Sequence, residues 1–182
     1  KPAGSHRPSV DSFASSPSVS NAVLAALTEQ EAGASLDIAL TRALKPVGAP
    51  GARRAIVRDL TNINRHRARL AWHLSEERAR ATPHNLFLAW TAFESRSEPK
   101  GVRLSELDHG LLQRVARRKL DDRAMPETVR LECPPAFEQA LREALGSAFA
   151  REMAASLAPA PIDLRVNTLK ATPAEARRRL KA

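Results

Sequence analysis

From Asn21 onward, apolar residues recur at helical intervals. Val23, Leu24 and Leu27 share one face, and Gly33 supplies a stop. Ser35 is placed to cap a second helix, in which Leu36, Leu40, Ala43 and Leu44 recur until Pro46 ends it. Ile56, Leu60, Ile63, Leu70 and Leu74 then follow at intervals of four, three, seven and four. At about 100° per residue these five positions fall within a stripe of roughly 80°, which predicts one long helix with a buried seam. Thr82 and Pro83 start another helix, whose Leu86, Phe87, Trp90 and Phe93 form an aromatic-rich stripe. Such a stripe can stack on bases, but at this spacing core packing is the stronger reading. Ser105 opens a further helix through Leu107, Leu111, Leu112 and Val115, ending in Arg117, Arg118 and Lys119. Two short helices, Pro135 to Leu145 and Ala148 to Leu157, are separated by Gly146.

A single segment has the other periodicity. In 161–170 the apolar Ile162, Leu164 and Val166 alternate with Asp163, Arg165 and Asn167, the pattern of a strand. A helix follows, with Thr172 as N-cap, Pro173 at its first position and Glu175 completing a capping box. The sequence therefore predicts a mainly α chain in four parts. Residues 1–19, with seven Ser among the first twenty, read as a disordered tail. Residues 20–124 form a helical domain, 125–158 a helical connector, and 159–182 the first βα unit of an α/β subdomain that is incomplete. The basic last helix carries no stop signal, so the chain is expected to be a piece of something longer.

Composition narrows the partner. The 182 residues include 29 Lys and Arg against 20 Asp and Glu, a formal net charge of +9, and 23 of the basic residues are Arg. Guanidinium groups favour planar, bidentate contacts with phosphate. Arg54, Arg58, Arg65 and Arg69 fall on the side of the long helix opposite its seam, where Asp59 is the sole carboxylate between Arg53 and Arg69. Like charges four residues apart repel, so a polyanion would relieve the row; a solvated basic surface without a partner is the plainer alternative. No apolar run approaches the roughly 20 residues that span a bilayer, which excludes a membrane-spanning class. The single cysteine, Cys133, forms no internal disulfide, and a reducing, cytoplasmic setting is expected.

The search for catalytic chemistry is short. Cys133 lies in Glu132–Cys133–Pro134 with no histidine nearby in sequence, and reads as a structural thiol. His6, His66, His73, His84 and His109 show no metal-binding spacing, and Asp108–His109 reads as a surface pair. The glycines from Gly48 to Gly51 lack the flanks of a phosphate loop.

Two stretches carry a resemblance. Met125 to Pro134 before a helix, then Pro161 to Lys170 before a capped helix, resemble the entry to the RNA cytosine-5 methyltransferases of the Sun/Fmu (RsmB/NOP) family. The R-x-N-x-x-K pattern of that entry is Arg165, Asn167 and Lys170 here. The upstream stretches Ala55 to Leu60 and Arg65 to Leu70 resemble the NusB-like helical RNA-binding domain that precedes it in many members. Thr61 to Asn64 departs from that domain, where bulkier residues are more usual. The resemblance spans about residues 20–182 and implies a NusB-like bundle, a helical connector and the start of a small α/β RNA-binding subdomain. It implies an enzyme that uses S-adenosylmethionine to methylate carbon 5 of a cytosine in ribosomal RNA through a cysteine thiolate. Those cysteines and the cofactor loop belong to a Rossmann-like domain that follows in the family, so this chain alone is expected to bind no cofactor. What carries over is RNA positioning: Arg165, Asn167 and Lys170 would line the small subdomain. A stand-alone NusB-like RNA-binding and assembly module, without enzymatic activity, is the alternative, and a purely structural helical domain is a third reading.

Overall fold

The computed structural model describes residues 17–95, 98–99, 101–158 and 164–181. Ten α-helices follow one another in it, and the described residues contain no strand. The first is α1 (Pro17–Glu31), which begins inside the stretch expected to be a disordered tail. Val19 and Ser20 are buried there, so packing extends the helix toward its N-terminus, and proline is well suited to a first helical turn. The rest of that tail, 1–16, lies outside the described residues.

Next come α2 (Leu36–Leu44), α3 (Pro50–Arg65), α4 (Arg67–Glu76), α5 (Pro83–Glu94) and α6 (Glu106–Ala116). With α1 they enclose one core that runs from Val19 to Val115. α1 packs on α2, α3 and α5, and α5 packs in turn on α3, α4 and α6. Ile56, Leu60, Ile63, Leu70 and Leu74 are all completely buried; at about 1.5–3 kcal/mol per large aliphatic side chain, this seam is a major source of the bundle's stability. The aromatic stripe goes the same way: Leu86, Phe87 and Trp90 are buried and Phe93 packs against the core. Leu107 does not follow its pattern and is 84% exposed. On the helical wheel Leu111, Val115 and Leu112 centre about 90° away from it, which puts Leu107 at the edge of the stripe.

The helix ends follow local chemistry. Ser35 accepts from the Ile38 amide, Thr82 from that of Asn85, and Ser105 with Asp108 forms a reciprocal capping box. Asp108 also meets His84 at 3.0 Å, and His109 meets Glu98 at 2.7 Å, so Asp108 and His109 point to different partners instead of pairing with each other. Arg53 donates to the carbonyls of Leu44 and Val47, satisfying the open end of α2.

The long helix expected through Leu74 is two helices. The backbone leaves the helical region at His66 (φ −111°, ψ 25°), and α4 restarts at Arg67. The acceptor for its first turn comes from far along the chain. The Glu132 carboxylate accepts from the amides of Ala68 (2.7 Å) and Arg69 (2.9 Å), an N-cap supplied from 64 residues away. On the other side of the break, Asn64 and Gln30 exchange two amide hydrogen bonds of 3.0 Å between α3 and α1. The weak helix formers before His66 thus include one with a tertiary partner.

Glu132 belongs to the connector, which contains α7 (Glu127–Arg130), α8 (Glu138–Leu145) and α9 (Phe149–Leu157). A second small core forms there from Leu131, Cys133 and Phe149, with Leu141, Leu145 and Met153 against it. Arg142 lies 4.2 Å over the Phe149 ring and pairs with Glu127 and Glu138. α10 (Pro173–Lys181) is capped by Thr172 and Glu175 as its sequence predicts. The strand expected ahead of it does not form among the described residues. Residues 161–163 lie outside them, 164–167 are irregular, and 168–170 turn. A lone strand leaves its amides and carbonyls without a ladder, and here the Asn167 side chain accepts from the Leu169 amide at 3.1 Å to close a turn instead.

Candidate nucleic-acid interface

The face of α3 opposite the seam presents three of the four arginines expected there. Arg54 and Arg58 are exposed and Arg65 is half-buried. Arg54 and Arg65 have no ion pair among the described residues, while Arg58 lies 2.9 Å from Asp59 and 3.9 Å from Glu94. Asp59 is itself buried and accepts from the Trp90 indole at 3.4 Å. The one carboxylate on this stretch therefore anchors Arg58 and Trp90 and leaves the other two cations uncompensated.

Arg69 leaves the row. Its guanidinium donates to the Arg130 carbonyl, its side chain is 13% exposed, and it stands 3.9 Å from Glu132. Once the helix breaks at His66, its side chain faces the connector and ties α4 to α7. Burial pushes the Glu132 carboxyl above its ordinary range, opposed by the Arg69 and Ala68 amides and by the Arg69 charge.

Elsewhere the acidic residues are mostly taken. Glu77 is clamped by Arg114 at 2.7 Å and Arg118 at 2.6 Å. Desolvation pushes its carboxyl up, but the two guanidiniums outweigh this and hold it below the ordinary range. Arg42 pairs with Glu29, and Arg151 with Glu152. Arg117 and Lys119, at the end of α6, are exposed and have no ion pair among the described residues. The fold brings this basic end beside Glu94, and so beside Arg58: Glu94, Arg118 and Lys119 line one cavity. No local sequence signal announces that meeting, since it joins α3, α5 and α6 across long separations.

The second expected set lies apart. Arg165, Asn167 and Lys170 are exposed, and no described residue from 164 onward belongs to either core. Asp163, the local partner considered for Arg165, is outside the described residues. The Asn167 amide oxygen serves the turn, which leaves its NH₂ group for a ligand.

Two histidines sit behind the α3 face. His66 stacks on Trp90 with ring centroids 6.1 Å apart, and His73, completely buried, lies 3.4 Å from the Leu120 carbonyl. Burial lowers both pKa values; Arg69 and Arg65 lower His66 further, while the Leu120 carbonyl partly offsets the shift at His73. The unfolded chain then binds more protons than the folded one below the ordinary value of 6.5. Their contribution to stability is complete above that pH and is lost as the pH falls through the depressed folded values. Urea midpoints should therefore drop from pH 7 to pH 5.5, and His73→Leu should flatten the drop. Equal slopes for wild type and variant would remove His73 from the effect.

Cys133 is buried in the second core. Among the described residues no group of three His, Cys, Asp or Glu could hold a metal ion, and no helix is long and apolar enough to cross a membrane. The glycine-containing turn ahead of α3 follows the coil after α2, not a strand, and Pro50 at its heart has no amide hydrogen to offer. Fold and surface together define a mainly helical protein with an arginine face on which Arg54 and Arg65 have no ion pair among the described residues. No family model, curated protein or solved structure matches the chain.

Proposed function

We propose that this chain is the RNA-recognition region of an rRNA cytosine-5 methyltransferase, working in the cytoplasm and positioning RNA for a catalytic domain outside the residues present here. The observation that carries the RNA half of the proposal is the α3 face: Arg54 and Arg65 have no ion pair among the described residues, on a helix whose other side is locked into the core. The helix is fixed in register, and the planar fork of each guanidinium matches phosphate oxygens, so the row suits backbone contacts. The methyltransferase half rests on the resemblance of Met125 to Pro134 and of Arg165, Asn167 and Lys170. In that reading 161–170 and α10 become a βα unit when further strands offer the first a partner, and S-adenosylmethionine is held by the catalytic domain alone.

Titration of the full chain with a ribosomal RNA hairpin over a series of salt concentrations tests it. Each phosphate neutralised on single-stranded RNA contributes about −0.7 to the log–log slope, and contacts by Arg54, Arg58 and Arg65 require a slope of about −2 or steeper. Absence of saturable binding at 0.15 M salt overturns the reading. One observation favours a second reading, a stand-alone NusB-like binding module: residues 164–181 join neither core. Under it, changing Arg165 and Lys170 to Gln leaves the slope unaltered; under the first reading the slope falls.

A further inference from the structure

The cavity beside the arginine face has a shape and chemistry of its own. It encloses about 290 Å³ where the C-terminal ends of α5 and α6 meet the segment after α6. That is the low end of small-ligand sites, a size for one ring system with its sugar and not for an extended chain. Its walls are held from behind. Trp90 is fixed by Asp59 and by the stacked His66 ring, Phe93 packs on His73 with centroids 4.8 Å apart, and Arg118 is fastened to Glu77. Two polar groups are left at its edge. Glu94 is exposed and has Arg58, at 3.9 Å, as its ion-pair partner among the described residues, where Lys119, also exposed, has none.

We infer that this cavity receives a single unstacked nucleotide of the bound RNA, its base against Phe93, its exocyclic amino group donating to Glu94 and its phosphate on Lys119. The inference rests on the RNA reading above and adds a preference to it. RNA-binding proteins read splayed-out bases by stacking them on aromatic rings and bonding their edges. A carboxylate accepts and cannot donate, so adenine or cytosine suits Glu94 and uracil, whose corresponding edge carries a carbonyl, does not. Arg58 lies 3.9 Å from Glu94, so a strand lying along α3 passes a phosphate-binding cation next to the carboxylate that reads the base.

The test uses the full chain and three RNA hairpins of one stem sequence: fully paired, with a single bulged cytosine, and with a single bulged uracil. The cytosine bulge is expected to bind about tenfold tighter than the paired stem, the size of one base stacked on one ring, and tighter than the uracil bulge. Phe93→Leu and Lys119→Gln should each erase the advantage of the bulge. Glu94→Gln, whose amide can also donate, should erase the difference between cytosine and uracil. Equal affinity for all three hairpins, unmoved by Lys119→Gln, would show the cavity to be a packing gap while leaving RNA binding intact. Failure of every hairpin to bind overturns both readings.

Discussion

Glu132→Ala lowers the stability of the chain by about 3 kcal/mol, the combined effect of losing an N-cap and breaking a buried charge contact. The reasoning starts at the break in the long helix. Because α4 restarts at Arg67, the amides of Ala68 and Arg69 have the Glu132 carboxylate as their acceptor, at 2.7 and 2.9 Å. Alanine leaves two amides in a half-buried site without a partner, each worth about 1–3 kcal/mol if water does not reach it. The same carboxylate stands 3.9 Å from the Arg69 guanidinium, which is 13% exposed. For a chain of this length the loss corresponds to a fall in Tm of about 6–12 °C. Amide hydrogen exchange localises it: Ala68 and Arg69 should lose protection while the amides of Leu60 and Ile63 keep theirs. Uniform loss of protection along α3 and α4 would mean that Glu132 supports the whole bundle and is no local cap. Unchanged protection at Ala68 would remove the cap altogether.

Changing Arg54, Arg58 and Arg65 together to Gln is expected to weaken RNA binding about 100-fold at 0.1 M salt and to flatten the log–log slope by about 2, the sum over three phosphates. Arg69→Gln serves as the contrast. Its guanidinium is held by the Arg130 carbonyl, so its replacement should leave the slope untouched and lower Tm instead. An unchanged slope in the triple variant, with the fold confirmed by circular dichroism, would take the α3 face off the contact surface. A slope change in Arg69→Gln would show that the α4–α7 contact opens when RNA binds.

These two experiments divide along the line between what is local in the chain and what is not. The seam of Ile56, Leu60, Ile63, Leu70 and Leu74 was readable from spacing, and all five are completely buried. The caps at Ser35, Thr82, Ser105 and Thr172 were readable as well, because an N-cap joins groups only three residues apart. The arginine row could be drawn on a helical wheel, but only as if the helix ran on. Likewise Arg165, Asn167 and Lys170 could be singled out as residue types, while the strand meant to carry them needs a neighbouring strand that the described residues do not contain.

The sequence by itself determined where helices form, which of their faces are apolar, and that the net charge is +9 with arginine dominant. Periodicity and capping are short-range, so each window of the chain holds the information it needs. Only the tertiary structure decided that the long helix breaks at His66, that Arg69 turns inward, and that Glu94, the neighbour of Arg58, meets Lys119 at one cavity. Those outcomes depend on pairs such as Glu132 with Ala68 and Glu77 with Arg118, which lie 64 and 41 residues apart. Such pairs leave no periodic trace, because their partners are chosen by the packing of the core between them and not by any spacing along the chain.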